Sequence, residues 1–378
     1  MPGQGDSKRP VLRTPLCDLL GVEYPVCLAG MGSRGRATPP PLVAAVSNAG
    51  GLGVLGGANL TPDEIRDRIR EVKTLTDKPF AVNLLFPASL SQAENSRSQI
   101  RDLLQREYPK HVAFVKDLLR EFDLEEAPVE QESVLATGDI QEQFQVVLDE
   151  SVPILSAGLG DPSWAVPPAR EQGMKVIGLA GSVRNAMRQV EAGVDAIVAQ
   201  GYEAGGHTGR IATFPLVPQV VDAVAPTPVL AAGGIGDGRG LAAALALGAV
   251  GVWVGTTFLT SLESRIWDVQ KEEILGARSE DFPVTRAYTG KTARDYKNVV
   301  IDAWESSGLE PLPMPLQQVL MEDFSSAAMA GGRYDLVNSP AGQIGGMHTE
   351  LKPAARILRE MVEGAAAIIA GQQDFLGP

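Results

Sequence analysis

The chain has 378 residues, of which 44% are hydrophobic and 5% aromatic, and its formal net charge at pH 7 is −13. This length and apolar content allow a large buried core, so we expect one large domain with an appendage. The acidic charge repels phosphate backbones and anionic lipid, which disfavours binding to nucleic acid or to a membrane surface. No apolar stretch of about 18 residues runs without a charge or a break, so no transmembrane helix is predicted. The segment Met1–Arg13 lacks the apolar core of a secretory signal, and a cytoplasmic protein is expected.

Eight short apolar, β-branched runs recur along the chain, and amphipathic helical stretches separate most of them. Runs that are apolar on both faces are typical of parallel strands covered on both sides. Eight strand–helix units within about 260 residues predict a closed (β/α)8 barrel, a TIM barrel, over residues 12–261. The eight runs are Val26–Gly30, Gly53–Gly57, Phe80–Leu85, Val152–Ala157, Lys175–Leu179, Ala196–Gln200, Pro228–Ala232 and Val250–Gly255.

Several of the intervening helices have explicit start and stop signals. Thr61 is a predicted N-cap, followed by Pro62 at the first helical position and by Glu64, which completes a capping box. A glycine follows each of the predicted helices Ser182–Ala192 and Gly238–Leu247, as expected of a helix C-terminus.

Two segments interrupt the alternation of strands and helices. The first, residues 88–138, is an acidic and predicted helical insertion between the third strand and the barrel helix Ile140–Leu148. An insertion at the carboxyl end of a strand lies on the face where barrel enzymes hold their sites, so it is a lid or substrate wall, or else a surface elaboration or subunit contact. The second, residues 262–352, is predicted to be a loop-rich substrate-side region with weak helices such as Pro315–Met321. Residues 353–372 are expected to form a helix that packs back on the barrel.

Glycine-rich segments follow the seventh and eighth runs, at Gly233-Gly234 and at Gly255-Thr256. The loops after these two strands frequently bind phosphate in barrels, because glycine lets backbone N–H groups approach an anion and threonine adds a hydroxyl. Tight turns without a ligand are the alternative. A dinucleotide-binding fold is rejected, because the motif follows the seventh strand and Arg239 stands where its third glycine is required.

The chain contains only three histidines, His111, His207 and His348, and their dispersion predicts no metal site. His207 follows the sixth strand on a loop of small residues, with Glu203 and Thr208 as neighbours that would orient it. Imidazole titrates near neutrality and therefore suits proton abstraction. A hydrogen-bonded loop histidine is an equal alternative from position alone. His111 is expected to be solvated and His348 to be structural.

The segment from Gln200 to Gly209, QGYEAGGHTG, together with TFPLVPQVVDA from Thr213, closely resembles the nitronate monooxygenase family, formerly called 2-nitropropane dioxygenases. The loop AAGGIGDGRG from Ala231 and the strand KPFAVNL from Lys78 are similar to that family as well. The resemblance covers most of the chain outside the insertion and the tail. The QGxEAGGHxG motif is shared with flavin-dependent enoyl-ACP reductases, so it is specific for the superfamily and less so within it.

The resemblance implies a TIM barrel that binds FMN noncovalently, and His207 matches the catalytic histidine of the family. The FMN phosphate would lie against the glycine loops, the isoalloxazine ring would lie after the first strand, and two amides would contact the ring or the ribityl chain. The implied cofactor-binding residues are Ala29, Gly30, Met31, Asn83, Gln200, Gly205, Gly206, Gly233, Gly234, Gly255 and Thr256.

The implied reaction begins when His207 takes the α-proton of a nitroalkane. The resulting nitronate then reduces FMN, and O2 completes an oxidative denitrification to a carbonyl compound and nitrite. Lys291 or Arg294 would meet an anionic substrate. Tyr288, Tyr296 and Tyr334 are the candidates for an aromatic pocket wall.

Two other functions remain open at this point. An NAD(P)H-dependent FMN reductase of an enoyl or cyclic acyl thioester would use the same barrel, with His207 as the proton donor. A flavin-binding barrel without turnover would act as a binding module. A homodimer is expected from the frequency of such assemblies.

Overall fold

The computed structural model describes residues 12–32, 36–86, 96–129 and 137–372, and a barrel of parallel strands forms its centre. Most of the segment Met1–Arg13 and parts of the predicted insertion, residues 88–95 and 130–136, lie outside the described residues. In chain order the strands are β1 (Val26–Leu28), β2 (Gly53–Gly56), β3 (Phe80–Leu85), β4 (Ile154–Gly158), β5 (Lys175–Ala180), β6 (Ala196–Gln200), β7 (Gly206–His207), β8 (Val229–Ala232), β9 (Gly251–Val254), β10 (Val284–Thr285) and β11 (Ala293–Arg294).

Eight of these strands form the barrel, in the order β1-β9-β8-β6-β5-β4-β3-β2, and each pairs in parallel with its neighbours. The barrel closes between β1 and the residue before β2. Leu28 N donates to Leu52 O at 2.9 Å, and Leu52 N donates to Val26 O at 3.0 Å. The predicted TIM barrel is therefore confirmed. The fourth strand starts at Ile154 rather than at Val152, because Pro153 has no N–H with which to extend the ladder.

Helices alternate with the barrel strands and continue after the last one. They are α1 (Pro15–Leu20), α2 (Pro40–Asn48), α3 (Pro62–Leu75), α4 (Arg97–Glu107), α5 (Pro109–Glu121), α6 (Thr137–Asp149), α7 (Val166–Glu171), α8 (Val183–Glu191), α9 (Thr213–Val224), α10 (Gly238–Ala246), α11 (Thr256–Leu259), α12 (Asp268–Gly276), α13 (Val299–Ser306), α14 (Leu316–Ala330) and α15 (Ala354–Gly371). The capping box at the start of α3 is present, since Glu64 N donates to Thr61 Oγ1 and Thr61 N donates to Glu64 Oε2. Within the described parts of the chain, no helix has the length and apolar character of a membrane span.

A second hydrophobic core lies outside the barrel, and two distant parts of the chain build it. Helices α4 and α5 of the insertion contribute Ile100 and Leu118, whereas α13 and α14 contribute Ile301 and Phe324. The ion pair between Arg101 and Asp323, with nitrogen–oxygen distances of 2.8 and 2.6 Å, joins α4 to α14 across this core. We call the unit formed by α4, α5, α13 and α14 the cap.

Helix α14 extends to Ala330, well beyond the predicted end at Met321. The additional turns bury Phe324 and Ala328 in the core of the cap. Packing against the insertion therefore stabilises a helix that its own sequence indicates only weakly.

The last helix, α15, packs on α10 and α2 at the side of the barrel. It buries Ile357, Leu358 and Met361 in the barrel core. The approach to α10 is close, because a Cβ atom on Gly238 would lie 2.5 Å from Ala365 N. Glycine at this position lets the two helices pack with their backbones nearly in contact.

Candidate active site

A cavity of about 1900 Å³ lies at the carboxyl ends of the barrel strands, between the barrel and the cap. It is larger than the 300–1000 Å³ or so that is usual for a small-molecule site. Every residue that the sequence analysis assigned to catalysis or cofactor binding lines it. These residues are Ala29, Gly30, Met31, Asn83, Gln200, Gly205, Gly206, His207, Gly233, Gly234, Gly255 and Thr256.

His207 lies in the short strand β7 and not on a free loop, which corrects the sequence-based expectation. Strand β7 pairs antiparallel with β11, and His207 lies opposite Ala293. Strand β11 in turn pairs with β10, so that two strands from the C-terminal region complete a three-stranded sheet that fixes the backbone of the histidine. The sequence conceals this strand because its partner lies more than eighty residues further along the chain.

The groups that orient His207 also differ from those expected. Its Nε2 atom lies 3.3 Å from Thr289 Oγ1, and Gln200 Nε2 donates to its backbone carbonyl at 2.7 Å. Glu203 instead accepts from the N–H and the hydroxyl of Thr213, at the start of α9. The hydroxyl of Thr208 donates to backbone carbonyls of the same loop. Glu203 and Thr208 therefore shape the loop without touching the imidazole.

Burial lowers the pKa of His207 below its ordinary value of 6.5, and the positive charge of Lys291 lowers it further. Both causes disfavour the imidazolium form. The imidazole is therefore neutral at pH 7 and can accept a proton from a group in the cavity.

The other two histidines lie away from the cavity lining. His111 is half-buried, with Nε2 lying 3.0 Å from Glu310 O, so it joins the insertion to the C-terminal region rather than being solvated. Burial lowers the pKa of His348 to about 4, which keeps this half-buried side chain neutral. Within the described residues, no group of three or more His, Cys, Asp or Glu side chains could hold a metal ion.

Lys291 and Arg294, the two candidates for contact with an anion, have different roles. Lys291 is exposed and lines the cavity. Arg294 is 1% exposed, donates to Phe282 O and Tyr202 O, and stacks on the Tyr202 ring. The interpretation of Arg294 as a substrate contact is therefore wrong, because its charge is used to hold the β7–β10–β11 sheet against the barrel.

Two of the three candidate tyrosines line the cavity, and an unpredicted tryptophan accompanies them. Tyr288 is buried, and its hydroxyl donates to Leu336 O at 2.8 Å. Tyr334 stacks on Trp267 at a ring-centroid distance of 4.8 Å, and both rings line the cavity. Tyr296 is not among the lining residues and packs on Phe282 instead.

The glycine loops after β8 and β9 lie side by side and present unused donors. Among the hydrogen bonds of the described residues, none uses the backbone N–H of Gly233, Gly234 or Gly255. Gly233 and Gly234 have left-handed φ angles of 95° and 73°, which favour glycine. Thr256 Oγ1 accepts from Gly342 N at 2.8 Å, so its own proton is free to be donated. Such a set of donors fits a phosphate group.

Helix α10 does not contribute its N-terminus to this anion site. Asp237 caps the helix, and its Oδ1 accepts from Arg239 N at 2.9 Å. The candidate anion site thus consists of the two glycine loops and Thr256.

The segment after β1, which lies beside the loop that follows β9, is closely packed. A Cβ atom on Gly30 would lie 2.3 Å from Asn83 Cβ, so only glycine allows the segment after β1 to approach β3 this closely. Asn83 Nδ2 donates to Ser156 Oγ at 2.9 Å, which leaves its amide oxygen as the free polar atom. In the same way, Gln200 uses its nitrogen on His207 O and keeps its oxygen free. Gly205 packs on the backbone of Ala341, so this glycine accommodates the C-terminal region.

A nitronate monooxygenase family profile matches residues 13–364. The chain belongs to the nitronate monooxygenase family. It is 38% identical over 374 residues to Rv1533 of Mycobacterium tuberculosis, which carries the name of a monooxygenase; the match covers 93% of this chain and 96% of that protein. The nitroalkane oxidase of Streptomyces ansochromogenes is similar in structure, with a TM-score of 0.79, 28% identity, and coverage of 94% of this chain and 99% of that one. FabK of Thermotoga maritima is also similar in structure, with a TM-score of 0.76 and 31% identity. The match covers 97% of this chain and 100% of that one.

Membership of the nitronate monooxygenase family makes the chain an oxidoreductase of the flavin-dependent class with a small-molecule substrate. The site fits a flavin. The glycine loops offer an anion site, and the free amide oxygens of Asn83 and Gln200 line the same cavity. The motifs of this family therefore coincide with the residues that the fold gathers around one cavity.

The sequence analysis did not predict several side chains that reach the cavity from outside the barrel. Thr289, Trp267 and Gln318 line the cavity, and all three follow the last barrel strand. The nearest available signal is the pair of candidate anion contacts Lys291 and Arg294, which follow Thr289 closely in the sequence.

Proposed function

We propose that this enzyme uses FMN and O2 to convert nitronates and nitroalkanes into carbonyl compounds and nitrite. The observation that carries the proposal is a neutral imidazole, His207, that lines the same cavity as the glycine loops and the amides of Asn83 and Gln200. Family membership and the similarity to a nitroalkane oxidase support the substrate class.

The role proposed for His207 is removal of the α-proton of a bound nitroalkane. A neutral imidazole suits this role, and its depressed pKa keeps it available as a base below pH 6.5. Thr289 and the backbone pairing of β7 with β11 hold the ring in place. When bound, the flavin would accept electrons from the nitronate and pass them to O2.

FMN is the proposed flavin because the glycine loops after β8 and β9, with Thr256, offer donors for one phosphate group. Gly233, Gly234, Gly255 and Thr256 would bind the terminal phosphate, and Ala29 to Met31 would lie beside the ring. Asn83 and Gln200 would each offer an amide oxygen to the ring N–H or to the ribityl hydroxyls.

The similarity to FabK keeps a second candidate, an NAD(P)H-dependent reductase of an enoyl or cyclic acyl thioester. His207 would then donate a proton instead of accepting one. Its depressed pKa disfavours this role at neutral pH, because few molecules carry the imidazolium.

Anaerobic reduction of the bound flavin distinguishes the two functions. We expect nitroethane or propionate 3-nitronate to bleach the visible flavin band in a stopped-flow mixing experiment, whereas NADH and NADPH bleach it far more slowly. Denaturation of the same sample should release FMN, identified by chromatography against FMN and FAD. Bleaching by a nicotinamide but by neither nitro compound would establish the reductase and reject the monooxygenase.

Lys291 provides a test of electrostatics in the cavity. Lys291→Met should move the acid limb of kcat/KM for nitroethane to higher pH, because loss of the lysine charge raises the pKa of His207. The KM for an anionic nitronate should rise about two- to fivefold, as expected for loss of one exposed charge contact. The measurement is a pH series of initial rates at constant ionic strength.

Lys297→Met is the matched control, since Lys297 is also exposed and does not line the cavity. It should leave both the acid limb and the nitronate KM unchanged. If the acid limb of Lys291→Met stays at the same pH as in the native enzyme, the charge of Lys291 does not influence the pKa of His207.

A further inference from the structure

The imidazole of His207 has two nitrogens, and only one of them can act as a base. A neutral imidazole carries a proton on one nitrogen and a free lone pair on the other. The hydrogen bonds that the ring makes decide which nitrogen has the proton. Within the described residues, the hydrogen-bonding partner of the ring is Thr289, whose Oγ1 lies 3.3 Å from Nε2. The protonation of Nε2 therefore depends on what the Thr289 hydroxyl does.

The hydroxyl of Thr289 has one proton to donate and two lone pairs that accept. Lys291 O can only accept, and it lies 3.1 Å from Thr289 Oγ1. Lys291 N can only donate, and it lies 3.3 Å from the same oxygen. No other described group donates to Lys291 O, so the hydroxyl proton is directed at this carbonyl. One lone pair of Thr289 Oγ1 remains for His207, and Nε2 must therefore be the donor in that contact.

A tight turn holds the Thr289 hydroxyl in this position. The bond from Lys291 N to Thr289 Oγ1 has the side-chain-to-backbone pattern of a Ser/Thr turn. Between these residues, Gly290 has a φ angle of 76°, in the left-handed region that favours glycine. A Cβ atom on Gly290 would lie 2.3 Å from Leu312 O, so the turn packs directly on the backbone that precedes α14. Arg286 Nε also donates to Gly290 O at 3.0 Å, which fixes the turn further.

The other ring nitrogen of His207, Nδ1, is open to the cavity. Among the described residues, none forms a hydrogen bond with Nδ1, and Nδ1 is not one of the enclosed polar atoms that lack a partner. It therefore retains exposed surface, and His207 lines the cavity. Since Nε2 is engaged by Thr289, Nδ1 holds the lone pair that a substrate in the cavity can reach.

The contact with Thr289 also suits the imidazolium that forms once Nδ1 takes a proton. Both ring nitrogens then carry a proton, and Thr289 Oγ1 continues to accept from Nε2 without rearrangement. A hydrogen bond from a charged donor is stronger than one from a neutral donor. Burial and the charge of Lys291 both disfavour the imidazolium, so the contact offsets part of their effect at the step in which the charge develops.

We propose that Thr289 is a positioning residue that holds His207 as the Nε2–H tautomer, so that Nδ1 is the atom that removes the α-proton. The substrate C–H bond breaks, its electron pair stays on the substrate as the nitronate, and the proton forms the new Nδ1–H bond. The assignment of Nδ1 to this step rests on the proposed function, whereas the tautomer of the free imidazole does not.

Nitrogen-15 NMR of the FMN-loaded enzyme, labelled in histidine, measures the tautomer without turnover. At pH 8 the imidazole of His207 is neutral, because its pKa lies below 6.5. Nε2 couples to both carbon-bound ring protons and Nδ1 strongly to only one, so a long-range correlation spectrum distinguishes them. The spectrum of His207→Asn identifies which of the three histidines gives the signals. We expect the upfield shift of a protonated nitrogen at Nε2 and the downfield shift of an unprotonated one at Nδ1; the opposite assignment would overturn the proposal.

Thr289→Val keeps the shape of the side chain and removes the hydroxyl. Both ring nitrogens should then move toward the shift averaged over the two tautomers, because Nε2–H has lost its acceptor. We expect kcat/KM for nitroethane to fall about ten- to a hundredfold, the usual range for loss of a hydrogen bond to a charged group. With the preformed nitronate, which needs no base, kcat/KM should change by less than about threefold. Thr289→Ser retains the hydroxyl and should stay near the native values in all three measurements.

Thr74→Val, on the exposed face of α3, is the matched control and should change none of these measurements. Unchanged nitrogen shifts in Thr289→Val would overturn the proposal. Equal losses of kcat/KM for nitroethane and its nitronate would overturn it as well, because Thr289 would then act on the substrate or the flavin rather than on the proton transfer. The same holds if Thr289→Ser behaves like Thr289→Val.

These outcomes are separable from those of the proposed function. Flavin bleaching by nitroethane together with a proton on Nδ1 of the native enzyme would overturn only the role of Thr289. The Nε2–H tautomer in the native enzyme, lost in Thr289→Val, would support Thr289 as the positioning residue even if no nitro compound bleached the flavin and the nitro substrates were rejected.

Discussion

Replacement of His207 by Asn should lower kcat/KM for nitroethane by about 10²- to 10⁴-fold, the range usual for loss of a general base. The effect follows from the position of the neutral imidazole in the cavity and from its depressed pKa. A preformed nitronate has already lost the α-proton, so its kcat/KM should fall by less than about tenfold. Steady-state kinetics with nitroethane and with its nitronate, on the same FMN-loaded preparation, measure both values.

His111→Asn is the control for this substitution, because His111 lies in the insertion and outside the cavity lining. It should leave both rates near those of the native enzyme. Equal losses for nitroethane and nitronate in His207→Asn would show that the histidine positions the substrate or the flavin instead of taking the proton.

Substitution of Gly255 by Ala should weaken FMN binding about ten- to a hundredfold. The new methyl group would lie 3.5 Å from Ala29 Cβ, an ordinary contact, and 3.3 Å from Met31 Sδ, so the flexible Met31 side chain must shift by a few tenths of an ångström to accommodate it. The methyl would nevertheless obstruct the approach of a phosphate to the free N–H of Gly255, and the loss of one charge-assisted hydrogen bond accounts for the expected range. Fluorescence titration of the apoprotein with FMN gives the dissociation constant.

Gly276→Ala is the matched control, since a Cβ atom at Gly276 would meet nothing within 4 Å. Both variants should unfold near the native temperature when no FMN is present, and only Gly255→Ala should lose the stabilisation that FMN adds. If the dissociation constant for FMN is unchanged in Gly255→Ala, the N–H of Gly255 does not bind the phosphate.

The barrel and the grouping of its site residues were predictable because both follow from local patterns. Apolar runs such as Phe80–Leu85 indicate strands, and a capping box such as that at Thr61 indicates where a helix begins. Parallel strands bring their carboxyl ends to one face, so Asn83, Gln200 and Gly233 are expected to meet there although they are far apart in sequence. The structure places all three in one cavity.

The contacts that orient the site were not predictable, because they join segments with no local signal for each other. Thr289 approaches His207 through the pairing of β7 with β11, two strands of two residues each. Arg97 and Glu322 form their ion pair across the interface of the insertion with α14. Periodicity and propensity describe neighbours along the chain, whereas such pairs depend on how complete elements pack together.

The shared core of the cap also constrains how this enzyme can diverge from its relatives. Neither the insertion nor α14 can be shortened alone, because loss of either one exposes the apolar face of the other, including Ile100 and Phe324. Changes that shorten one of the two segments must therefore be accompanied by compensating changes in the other. The barrel strands and their glycine loops lie outside this constraint, so substrate preference can shift while the flavin site stays the same.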